Sequence, residues 1–144
     1  MRLNRNVKFE YNNNTHTTMC ERKIHNKVYI GLAICHPNDY DFESQLVGEH
    51  YAYVRSVINE LREKRDTIRD ELKALRHLYD IFLQNPFIST DSTECFLTKR
   101  QIEVLEGDLK EIRMLIKDTQ EDLRTMIHEK DKLYEKIRVS RKQK

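Results

Sequence analysis

VGEHYAYVRSVINELREKRDTIRDELKALRHLYDIF, residues 47–82, is the stretch that decides the fold. In it Val47, Val54, Leu61, Ile68, Leu75 and Phe82 recur every seven residues, and Tyr51, Ile58, Arg65, Leu72 and Tyr79 interleave with them. A second run repeats the pattern. There Ile102, Leu109, Ile116, Leu123, Lys130 and Ile137 alternate with Leu105, Ile112, Thr119, Met126 and Leu133. This spacing keeps one narrow apolar seam of an α-helix turned toward a partner helix. Between the runs stands Asn85-Pro86. Pro lacks the N–H that a helix needs and pushes the residue before it out of the helical region.

The pattern predicts a first helix from Ser44 to Leu83, roughly 60 Å long at the standard rise per residue. Asp41 or Ser44 is placed to cap it, with Glu43 near its positive end. A polar loop follows over 84–97, anchored by Phe87, Ile88 and Phe96. The second helix is expected to open on the capping box Thr98-Lys99-Arg100-Gln101 and to run to about Arg138. Residues 140–144 read as a frayed basic end.

Two helices of similar length joined by a short loop fold back as an antiparallel hairpin. Counting outward from the loop pairs positions whose numbers sum to about 182. That sets Arg65, the charged seam position of the first helix, level with Lys117 and Asp118 and close to Thr119. Arg65 either joins a buried polar layer there, which specifies pairing at a cost in stability, or snorkels outward. Leu78, Ile81, Leu115, Ile127 and Tyr134 lie off the seam. Surplus apolar positions call for a further partner, either the N-terminal segment or another copy, so a homo-oligomer is expected.

Residues 1–36 read as extended. Val7, Phe9 and Tyr11 alternate with polar residues, Asn12-Asn13-Asn14 is a turn, and Thr17 to Ile24 is a second strand closed by His25-Asn26. Lys27 to Cys35 is the strongest strand. Val28, Ile30, Leu32 and Ile34 line one of its faces, while Gly31, Ala33 and Cys35 leave the other small enough for close packing or a ligand. The expected fold is therefore α+β, with an antiparallel three-stranded meander over 1–43 and a long helical hairpin over 44–144. So small a sheet must pack on a helix or another subunit.

Composition narrows the function classes. Of 144 residues, 35% are charged and only 3 are Gly, which suits long solvated helices over a loop-rich enzyme. A formal net charge of +2 selects no partner by itself. The N-terminus MRLNRNVKF carries no leader-like apolar core, and no run reaches the length of a membrane span, so a cytoplasmic protein without membrane contact is expected. Cys20, Cys35 and Cys95 are widely spaced, and no further ligand stands at zinc spacing beside Cys35-His36, so neither a disulfide nor a metal site is expected. No Walker loop, G-x-S-x-G, G-x-G-x-x-G, H-E-x-x-H or C-x-x-C occurs, and the six His are scattered, which points away from an enzyme and from a cofactor.

The inter-helix loop holds the strongest candidate binding residues. Phe82, Asn85 and Phe87 lie close in sequence to Arg100, in the first turn of the second helix. Aromatic rings suit stacking on a base, an amide suits base or ribose, and a guanidinium at a helix start suits phosphate. The alternative is a loop pinned by its own Phe residues. The basic stretch from Lys130 to Lys144 lacks aromatic interleaving and carries Asp131 and Glu135, so it reads as a solvated helix tail, with nucleic acid unlikely as a partner.

The junction Gly31-Leu32-Ala33-Ile34-Cys35-His36-Pro37-Asn38-Asp39-Tyr40-Asp41-Phe42, followed by Gly48, Ala52 and Arg55, resembles a group of small proteins from phages of Gram-positive hosts. They share a Gly-x-Ala-x-Cys-x-Pro-x-Asp stretch, then Phe, then a helix carrying Gly, Ala and Arg. The group includes the Thoeris anti-defence sponges, which trap a cyclic ADP-ribose isomer made by bacterial TIR enzymes. The resemblance covers residues 27–60. It implies a sheet head, a helical body and a symmetric oligomer that holds a cyclic nucleotide between subunits in the host cytoplasm without cleaving it. It also implies a ligand-binding role for Arg55. The function expected is thus sequestration of a cyclic ADP-ribose isomer or cyclic oligonucleotide immune signal. The alternative is a structural or adaptor coiled coil that binds a protein or nucleic acid partner.

Overall fold

The computed structural model describes residues 6–42 and 44–143. The Glu43 helix-start reading, the side chain of Asp41 and the outermost residues of both termini lie outside what it describes. Three strands, β1 (Val7–Asn12), β2 (Thr17–Ile24) and β3 (Lys27–Ile34), precede a short 3₁₀ turn over Pro37–Phe42, α1 (Gln45–Gln84) and α2 (Thr93–Lys142). This is the expected α+β architecture. The chain divides into two compact units: Met1–Glu60 with Lys117–Lys144, and Leu61–Ile116.

In the first unit the strands form an antiparallel meander in the order β1-β2-β3. Asn12 Oδ1 accepts the backbone N–H of Asn14 at 2.9 Å and of Thr15 at 3.3 Å, which shapes the β1–β2 turn. The turn closes on His16 at φ 51°. The β2–β3 hairpin turns on His25-Asn26, with His25 at φ 54°, and sets Ile24 opposite Lys27. The small face of β3 is the packed one. A Cβ on Gly31 would lie 1.9 Å from the Ala52 carbonyl oxygen and 2.4 Å from the Ser56 nitrogen, so strand and helix backbones all but touch. Cys20, Ala33 and Ala52 fill the contact. Along the outer edge of β3, Arg55 Nη1 donates to the Leu32 carbonyl at 2.8 Å and Asn59 Nδ2 to that of Ile30 at 2.6 Å. One turn of α1 thereby satisfies two strand carbonyls that edges leave open.

Ser44 caps α1: its Oγ accepts the Val47 N–H at 3.4 Å. In the second unit Leu72, Ile102 and Leu109 form the core, with Ile68, Leu75, Tyr79, Leu105 and Ile112 packed on it. The ion pair Arg76–Glu106 at 3.0 Å falls on the numerical sum of 182. Arg65 is half-buried and directs its Nε to Asp66 at 3.1 Å.

Two helix boundaries differ from expectation. α2 begins at Thr93, not Thr98, because Ser92 caps it: Ser92 Oγ accepts the Cys95 N–H at 3.3 Å and its carbonyl accepts that of Phe96. The sequence Ser-Thr-Glu thus outcompetes the later capping box, whose Thr98 is buried in a helical turn. At the other end α2 continues to Lys142, so its basic end is helical and not frayed as far as described.

Candidate functional site

The first unit carries a cleft where the β1–β2 turn, the end of β3 and the 3₁₀ turn meet the start of α1 and the end of α2. Its walls are aromatic pairs. His16 stacks on Tyr40 with ring centres 3.8 Å apart, and Phe42 stacks on Tyr134 at 4.6 Å. Left-handed backbone at a residue with a Cβ is uncommon, and at His16 it places the ring on Tyr40.

Cations from α2 run through this aromatic set. Lys130 Nζ lies 5.4 Å from the ring centres of both Tyr51 and Tyr134. Arg138 covers Phe42 at 5.2 Å and Arg141 covers it at 5.0 Å. Asp39 gathers two of them, accepting Arg138 Nη2 at 2.6 Å with Lys130 Nζ at 3.9 Å. Arg138 Nη2 also donates to the Asn38 carbonyl. The Asp39 carboxylate raises the Arg138 pKa, so that guanidinium is a permanent charge.

The cleft comprises two recesses that share Ala33, Ile34, Asp39, Tyr51 and Lys130. The narrow one, of about 50 Å³, is lined by Tyr11, His16, Phe42 and Tyr134 among others. The wider one, of about 450 Å³, is lined by His36, Arg55, Asp131, Glu135 and Arg138 among others. Cations and carboxylates therefore face it together. Burial pushes both phenols above the ordinary tyrosine pKa, helped by the neighbouring tyrosine and Asp131 at Tyr51, and by Asp39 at Tyr134. Both are neutral donors at pH 7, and Tyr134 donates to the Phe42 carbonyl at 3.3 Å.

The geometry around the cleft suits binding. At Cys35 and His36, adjacent in sequence, the thiol donates to the His36 carbonyl at 3.7 Å, and His36 Nδ1 accepts the Asn38 N–H at 3.1 Å. Burial raises the Cys20 pKa, which keeps it a thiol packed against Ser56. Among the described residues no three His, Cys, Asp or Glu side chains gather in a way that could hold a metal ion, and no helix is long and apolar enough to cross a membrane.

The five residues singled out from the sequence divide between the two units. Arg55 lines the wider recess while holding the Leu32 carbonyl. Phe82, Asn85, Phe87 and Arg100 belong to the other unit. There Asn85 Oδ1 accepts the Phe87 N–H at 2.9 Å and Phe87 is 94% exposed. Arg100 reaches Glu103 at 3.8 Å and lines a mostly apolar groove with Ala74, Leu75, Val104 and Leu105, in which none of the other three takes part.

Lys130, Tyr134 and Arg138 escaped the sequence reading. They stand at i, i+4 and i+8, one face of a helix, and that spacing was visible in the stretch taken for a solvated tail. Comparison with protein-family models, with curated proteins and with solved structures finds no match.

Proposed function

We propose that this protein is a binding protein that sequesters a nucleotide-type signal, a cyclic ADP-ribose isomer or a cyclic oligonucleotide, without cleaving it. The observation that carries the reading is the Tyr51–Lys130–Tyr134 cluster, whose Tyr51 and Lys130 also line the wider recess together with Arg55, Asp131, Glu135 and Arg138. A nucleotide offers what this mixture accepts: phosphate for the cations, hydroxyls for the carboxylates and a base face for the phenol rings. A volume of about 450 Å³ falls in the range of small-molecule sites. Sequestration needs affinity and no proton-transfer pair, which accords with phenols held neutral and a His36 engaged with backbone. Of the nine residues that carry the family resemblance, six line the two recesses: Ala33, Cys35, Asp39, Phe42, Gly48 and Arg55. The phage origin, the host cytoplasm and a site enclosed between subunits belong to the same proposal.

A second reading has its own support. Gly31, Ala52 and Arg55 each serve sheet-to-helix packing, so part of the shared stretch is accounted for by folding alone, as in an adaptor coiled coil. Calorimetric titration with cyclic ADP-ribose isomers and cyclic di- and trinucleotides separates the two. The proposal expects tight binding and recovery of intact ligand after heat denaturation. No heat with any of them refutes it, and altered ligand on release makes the protein an enzyme.

A further inference from the structure

We propose that the outer face of the sheet is a self-association surface that seats a second copy of this chain. The proposal goes beyond the ligand reading and does not rest on it. Val28, Ile30, Leu32 and Ile34 alternate along β3 on the side turned away from α1, each between 45% and 70% exposed. Four adjacent branched side chains in water form a contiguous apolar strip of the kind that marks an interaction surface. A partner strand cannot add to the edge at Ile30 and Leu32, because Asn59 and Arg55 already occupy those carbonyls. At β3 the approach left open is face to face, as in a sandwich of two sheets.

The strand register makes this face complementary to itself. Lys8, Glu21 and Ile30 share one rung, and Glu10, Met19 and Leu32 share the next. Outside them Lys23 is level with Val28, and Asn12 and Thr17 with Ile34. Consider a two-fold axis lying between the sheets, across the strands and midway between the Ile30 and Leu32 rungs. It sets Ile30 on Leu32 and Val28 on Ile34 of the second copy, so all four apolar side chains find apolar partners. It sets Lys8 on Glu10 twice, Glu21 on Met19 and Lys23 on Thr17, so no like charges meet. Moving the axis onto the Ile30 rung would set Glu21 on Glu21 and Lys8 on Lys8. Moving it onto the Leu32 rung would set Glu10 on Glu10. Charge therefore selects one register, and an isologous dimer follows. The three strands offer a face of roughly 25 Å by 14 Å, below the area of a standard interface, so the dimer expected is a weak, concentration-dependent one.

The test is sedimentation equilibrium of the full chain, without nucleotide, over a wide concentration range. The wild type is expected to dimerise, and Ile30→Lys, on the exposed face, to sediment as a monomer with unchanged circular dichroism. Lys8→Glu and Glu10→Lys each place like charges together and are expected to weaken the dimer roughly tenfold. The doubly reversed variant restores the pairing and the affinity. A monomeric wild type, a dimer indifferent to Ile30→Lys, or a double variant as weak as the singles overturns the proposal. A monomeric wild type also removes the enclosure between subunits, whereas ligand binding in the cleft is read separately, by calorimetric titration.

Discussion

Replacing Gly31 by Ala tests the contact that holds the sheet on α1. The new Cβ would stand 1.9 Å from the Ala52 oxygen and 2.4 Å from the Ser56 nitrogen, both backbone atoms of a continuous helix that cannot rotate aside. Ordinary contact begins at 3.4 Å, so strand and helix must part by about 1.5 Å. A gap of even ~1 Å forfeits up to about half of each van der Waals contact across it. Cys20, Ala33 and Ala52, all nearly inaccessible, lose theirs together. Overpacking typically costs about 1–3 kcal/mol, and the lost contacts bring the expected destabilisation to about 3–5 kcal/mol. That is a large share of the ~5–15 kcal/mol of a typical domain. Urea unfolding followed by circular dichroism measures it. Gly107→Ala is the control: nothing lies within 4 Å of its Cβ, and removing a helical glycine there should stabilise by about 0.5–1 kcal/mol. A Gly31→Ala protein within about 1 kcal/mol of wild type would refute the close approach.

Further expectations follow from other contacts. Asp39→Asn removes the carboxylate that holds Arg138 and Lys130, and should lower stability measurably in the same unfolding assay; no change would mean the pair is not formed in solution. Tyr51 and Tyr134 have raised pKa values, so above pH of about 10 the unfolded chain sheds their protons before the folded one does. Their stabilisation is full below the ordinary tyrosine pKa and is lost as pH climbs through the raised values. Replacing both by Phe should flatten the alkaline decline of unfolding free energy, and an unaltered decline would contradict the assignment. In the second unit Leu72, 2% exposed, should cost about 2–5 kcal/mol as Ala, whereas Glu106→Ala breaks an exposed ion pair and should cost no more than about 1 kcal/mol. Equal losses from the two would refute the seam.

The helices were legible because their information is periodic. Every seam position from Ile68 to Tyr79 meets its counterpart between Ile102 and Ile112, and Arg76–Glu106 keeps the register counted from the loop. The strands were legible from alternation and from turn residues such as Asn12 and His25. The start of α2 was misplaced because two competent caps stand six residues apart, and sequence alone does not say that Ser92 wins. The cleft was hidden for a different reason. It brings Asp39 together with Lys130 and Arg138, about a hundred residues away, and only the folded backbone makes such neighbours. Locally those cations look like any solvated helix face. The candidates of the Phe-rich loop are near one another in sequence, and that alone does not bring Phe82, Asn85 or Phe87 into the groove that Arg100 lines.

The decisive comparison sets Lys130→Glu against Arg100→Glu in calorimetric titrations with a cyclic ADP-ribose isomer and a cyclic dinucleotide. Lys130 lies between the two phenol rings of the cleft, and Arg100 lines the groove of the second unit. The account predicts that Lys130→Glu abolishes binding while Arg100→Glu binds as wild type and releases the ligand unchanged. Binding that survives Lys130→Glu, or is lost with Arg100→Glu alone, would contradict it.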